Sequence, residues 1–91
     1  MGAHPVRRYI VERYLPGTTR ADLRVEERRV TDAVARIRAG GTSLVYLGST
    51  FIPEEETCLA RFEGVLEGVE RACRLAGLDF ARIVEIEEVE P

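Results

Sequence analysis

The sequence predicts an α+β domain in which two helices cover one face of a four-stranded antiparallel sheet. Three observations predict it. Strand-like and helix-periodic segments follow in the order strand, helix, strand, strand, helix, strand. Those six segments fill the 91 residues with almost no linker between them. Both helical segments stop on glycine, at Gly40-Gly41 and at Gly77. This order is that of a ferredoxin-like βαββαβ sandwich of the dimeric α+β barrel type. Two helices cover only one sheet face, so the other calls for a second subunit or a ligand.

The first strand runs from Val6 to Leu15, carried by Val6, Tyr9, Ile10, Val11, Tyr14 and Leu15. Pro16-Gly17 turns the chain. Thr19 caps the first helix, with Asp22 three residues on as a capping box. Leu23, Val30, Val34 and Ile37, joined by Ala33, form one helical stripe. Ser43 to Ile52 is the second strand and Thr57 to Glu63 the third. They form a hairpin about Pro53 to Glu56, whose three glutamates read as an exposed tip. Leu66, Val69, Cys73 and Ala76 form the stripe of the second helix. Phe80 to Val89 is the fourth strand. Residues 1–5 read as a flexible N-terminus and 6–91 as one domain.

Alternation divides each strand into two sets. Tyr9, Val11, Leu15, Val45, Leu47, Phe51, Cys58, Ala60, Phe62, Val84 and Ile86 are assigned to the helix side, and Arg13 falls among them. Ile10, Glu12, Tyr14, Leu44, Tyr46, Gly48, Thr50, Leu59, Arg61, Glu63, Ile83, Glu85 and Glu87 are assigned to the open face. On the second strand both sets are apolar, and a one-residue bulge would exchange Tyr46 for Val45 and Leu47.

Composition narrows the function. Hydrophobic residues make up 45% of the chain, which suits a packed core. Net charge is −3, and no basic patch with interleaved aromatics points to nucleic acid. No segment is long and apolar enough for a membrane span, and no apolar run follows Arg7 and Arg8 as in a signal peptide. A cytoplasmic protein is expected. All thirteen basic residues are arginine, which removes lysine Schiff-base and P-loop chemistry. Cys58 and Cys73 read as buried free thiols, and there is no CxxC pair.

The candidate site is placed on the open face. Glu12 is the candidate general base, facing Arg61 on the neighbouring strand. Tyr14, Tyr46, Arg61 and Glu63 are the candidate ligand-binding residues, the tyrosines as hydrogen-bond donors to a bound molecule. Glu63, Glu85 and Glu87 are an oxygen-rich alternative for a metal. His4 is the one histidine of the chain.

The segments V-E-R-Y-L-P-G (Val11 to Gly17), Y-L-G-S-T-F-I-P-E-E-E-T-C (Tyr46 to Cys58) and A-G-L-D-F-A-R-I-V-E (Ala76 to Glu85) resemble a family of small bacterial proteins of unknown function. Some of its members are described as nickel-binding ferredoxin-like proteins. The resemblance implies a ferredoxin-like subunit, pairing through its sheet, and metal binding, with nickel the implied ion. Nickel favours imidazole nitrogen, and with only His4 to offer it, no metal ligand is carried over.

The expected function is that of a small cytoplasmic homodimer binding a small organic ligand in a cavity on the open sheet face. An enzyme on the same scaffold, an isomerase, cyclase or monooxygenase with Glu12 as base, is the alternative by fold analogy. A nickel or other metal-binding protein is the second alternative.

Overall fold

The computed structural model describes residues 6–80 and 82–91. Its elements are β1 (Arg7–Tyr14), α1 (Arg20–Ala39), β2 (Leu44–Ile52), β3 (Thr57–Gly64), α2 (Leu66–Leu75) and β4 (Arg82–Ile86), with a single 3-10 turn at Pro53–Glu55. The sheet order is β2-β3-β1-β4 and every pairing is antiparallel. This is the ferredoxin-like α+β sandwich. The predicted N-terminal segment 1–5 and His4 lie outside the described residues.

Local chemistry sets the helix ends. The Thr19 hydroxyl accepts from the Asp22 amide at 3.1 Å, and the Asp22 carboxylate accepts from the Thr19 amide at 3.0 Å. This reciprocal box meets two of the amide donors that a helix start leaves without partners. At the other helix, the Leu78 amide donates to the Cys73 carbonyl and the Gly77 amide to the Arg74 carbonyl. That pair of bonds is a Schellman stop, and Leu78 is buried beside it.

Between helices and sheet lies a core of Tyr9, Val11, Leu44, Ala60 and Phe62 from the strands. Val30, Ala33, Val34 and Ile37 of α1 and Val69, Ala72 and Cys73 of α2 meet them. Burying a large aliphatic or aromatic side chain of this kind stabilises the fold by about 1.5–3 kcal/mol. The stripe predicted for α1 meets the core with Val30, Ala33, Val34 and Ile37, while Leu23 is only half-buried.

Two face assignments are corrected. On β2, Tyr46 stands opposite Phe62 but Gly48 opposite Arg61, so Leu47 is an extra residue. The bulge puts Leu44 and Tyr46 on the helix side and Val45 and Leu47 on the open face, at 38% and 41% exposure. Gly48 takes φ +100° there, a conformation that side-chain-bearing residues rarely adopt. On β4, Ile83 stands opposite Val11 and packs on the core, whereas Val84 stands opposite Ile10 and Ile86 opposite Arg8. Val84 and Ile86 therefore belong to the open face, and Glu85 to the helix side, where it pairs with Arg7 at 3.7 Å. β4 also ends three residues earlier than expected, at Ile86.

The hairpin tip is only partly the exposed acidic turn read from the sequence. Glu56 adopts φ +50° and is half-buried. Its carboxylate accepts from the Gly17 amide at 2.8 Å, and its carbonyl accepts from the Leu15 amide at 2.7 Å. Glu56 thus ties the hairpin to the turn that launches α1.

Candidate functional site

The two helices cover the sheet unevenly. α1 has 20 residues and α2 has 10. The buried positions of α1 begin only at Val30. Its first ten residues extend over the end of the sheet where β1 finishes and β3 begins. A partly enclosed cavity of about 160 Å³ lies beneath them. Its apolar lining comes from Leu23, Val30, Phe51, Cys58 and Ala60. Its polar lining comes from Arg13, Glu26, Glu27, Tyr46 and Ser49, with Arg20 and Arg24 from the first turns of α1.

Arg13 dominates the site. It occupies the apolar phase of β1, directly opposite Cys58, and is 4% exposed. A charge at that depth requires a partner. Glu26, one turn into α1, supplies it, with its two carboxylate oxygens accepting from Nη2 at 2.9 Å and Nη1 at 3.2 Å. Burial disfavours the charged guanidinium, but the hydrogen bonds and charge of Glu26, with a smaller contribution from the Cys58 thiol opposite, outweigh it and hold the Arg13 pKa above its ordinary value. The Nε of Arg13 is buried and has no hydrogen-bond partner among the described residues. A buried donor left without a partner is costly, and Arg13 lines the wall of the cavity.

Tyr46 forms the second polar wall. Its hydroxyl donates to a Glu27 carboxylate oxygen and shares a hydrogen bond with the Ser49 hydroxyl. Burial, reinforced by the Glu27 hydrogen bond, raises its pKa and keeps it a neutral phenol. Its ring packs on Phe62 with centroids 5.1 Å apart. The bulge at Leu47 is what turns Tyr46, and after it Ser49 and Phe51, into this space.

The residues expected to form an open-face site are not gathered into one. Glu12 does lie on the open face, opposite Leu59 and Arg82, and its carboxylate meets Arg82 at 3.4 Å rather than Arg61. Arg61 stands opposite Ile10 and donates to the Thr50 hydroxyl at 2.6 Å. Glu63 accepts from Arg8 at 3.1 Å, and Arg8 also meets Glu88 at 2.9 Å. Tyr14 ends β1 at 65% exposure. Tyr46 is on the other side of the sheet. No group of three or more His, Cys, Asp or Glu among the described residues is placed to hold a metal, and Glu63, Glu85 and Glu87 are kept apart. Cys73 is a core thiol whose pKa burial pushes up to about 11.

Among the described residues, no helix is long and apolar enough to cross a membrane. No protein-family model and no curated protein matches the chain. Its fold is similar to the crystal structure of SCO4226 from Streptomyces coelicolor A3(2), with a TM-score of 0.76 over 91% of this chain and 99% of that one. The two sequences are 16% identical, so the likeness is one of fold.

Proposed function

We propose that this chain is a small-ligand-binding protein whose site is the cavity beneath the first half of α1. The observation that carries this reading is Arg13, a buried guanidinium on the wall of a largely apolar cavity, whose Nε has no hydrogen-bond partner among the described residues. Apolar walls with a few convergent polar groups are the usual character of a small-molecule pocket. The ligand supplies the acceptor that Arg13 lacks. The open face then serves a different purpose, pairing two copies of the chain in the cytoplasm. Ile10, Leu59, Val84, Ile86, Val45 and Leu47 give that face an apolar surface. Around them stand Arg8, Arg61 and Arg82 and, in equal number, Glu12, Glu63 and Glu88. Balanced charge of this kind is self-complementary under a two-fold axis, which favours a second copy over other partners.

The test of the pocket is a thermal-shift screen with small aromatic and aliphatic fragments on the wild type and on Leu23→Trp. Leu23 is half-buried on the wall of the cavity. The larger side chain closes the space from the α1 side with little demand on the core. Fragments that raise the melting temperature of the wild type should lose that effect in the variant. Fragments that act equally on both would place binding elsewhere.

A further inference from the structure

Resting on that reading of the pocket, we infer that its ligand is a small aromatic carboxylate, with the acid group on Arg13 and the ring between α1 and the end of β2. Size comes first. The cavity measures about 160 Å³, and an apolar cavity of about 150 Å³ is known to accept a benzene molecule. One six-membered ring fits, against Phe51, Leu23 and Val30, which line the space.

Charge selects the acid. The unpartnered donor is the Nε–H of a buried guanidinium on the cavity wall, and an ionised oxygen makes a stronger hydrogen bond to it than a neutral one. Arg20 and Arg24 also line the cavity, one helical turn apart, and neither joins an ion pair among the described residues. The two carboxylates of the wall are already engaged, Glu26 in the fork on Arg13 and Glu27 on the Tyr46 hydroxyl. An anion therefore meets three guanidinium groups and two occupied carboxylates. A cation would oppose Arg13, Arg20 and Arg24 in a lining that carries one more guanidinium than carboxylate. A phosphate would bring more charge than the apolar walls can solvate.

Benzoate and nitrobenzene separate charge from shape, being nearly isosteric. Both are titrated into ¹⁵N-labelled protein at low salt, following the Arg13 Nε–H signal and the backbone amides. Benzoate should move the Arg13 signal and bind about tenfold more tightly than nitrobenzene. Its affinity should fall as salt is added, because Arg20 and Arg24 are at the surface. Replacing both by Gln (R20Q with R24Q) should weaken benzoate severalfold and leave nitrobenzene unchanged. If nitrobenzene binds as tightly as benzoate, or more tightly, the carboxylate inference fails and the pocket stands. If benzoate binds without moving the Arg13 signal, the anion is held elsewhere and the inference fails. If neither saturates, the pocket reading fails with it.

Discussion

Substituting Glu26→Gln isolates the interaction on which the site is built. The wild-type carboxylate accepts from both Nη atoms of Arg13. An amide offers one acceptor and turns a donor toward the guanidinium, leaving a second nitrogen of a 4%-exposed arginine without a partner. Removing one member of a fully buried ion pair costs about 3–5 kcal/mol. The Glu26 side chain keeps 25% exposure, so water reaches the fork and the cost should fall near or below the lower bound, about 2–3 kcal/mol. For a domain of this size, a urea slope of about 1 kcal/mol per molar converts that loss into a midpoint lower by about 2–3 M. Arg13→Met in the Glu26→Gln background should recover part of the loss, because an apolar side chain of similar length leaves no buried charge behind. The assay is equilibrium urea unfolding followed by circular dichroism. A Glu26→Gln midpoint within about 0.5 M of wild type would show that Arg13 is solvated or paired elsewhere, and the geometry of the pocket would have to be abandoned.

Three further outcomes are expected. Gly64→Ala should destabilise by more than about 1 kcal/mol, because a Cβ there would lie 2.5 Å from the Ser43 carbonyl and 2.9 Å from the Leu44 Cα; an unchanged urea midpoint would mean that β2 and β3 join differently. Stability should decline as pH rises from about 9 to about 11, since burial raises the Cys73 pKa from 9.0 to about 11 and the unfolded chain gives up that proton first; Tyr46, also raised, adds to the decline at the upper end, and Cys73→Ala should flatten the lower part of the profile. Leu59→Glu, which places a charge at the centre of the open face opposite Glu12 and Thr50, should yield a folded monomer in sedimentation, whereas a wild-type monomer at micromolar concentration would remove the dimer.

Much of the fold is legible in the sequence because its signals are local. Thr19 and Asp22 announce the start of α1, and the Val30, Ala33, Val34, Ile37 spacing defines its buried face. On β3 the contrast between Cys58, Ala60 and Phe62 and their neighbours Leu59, Arg61 and Glu63 is enough to assign both faces. The same reasoning stops at β2 and β4. Leu44, Val45, Tyr46 and Leu47 are all β-prone, so alternation carries no phase, and the bulge that sets it depends on the pairing with β3. Ile83 and Val84 are equally suited to either face, and only the register against Val11 decides between them.

The candidate site was less legible, although one sign of it was present. Arg13 falls at the apolar phase of β1, between Val11 and Leu15 in that set, and a buried arginine implies a partner and a reason for its depth. What could not be read is that Glu26, on α1, would reach it, or that a bulge would bring Tyr46 and Ser49 to the same side. The open-face candidates Glu12, Arg61 and Glu63 do share a face, but the structure gives them partners in Arg82, Thr50 and Arg8, respectively.

The central claim is that ligand binds beneath α1 and not on the open sheet face. Chemical-shift mapping of the backbone amides with a fragment that stabilises the wild type tests it most directly. The largest changes are expected at Leu23, Val30, Tyr46, Ser49 and Cys58, around the cavity. Changes concentrated instead at Glu12, Arg61 and Glu63, with the amides around Arg13 and Glu26 unmoved, would contradict it and return the site to the open face.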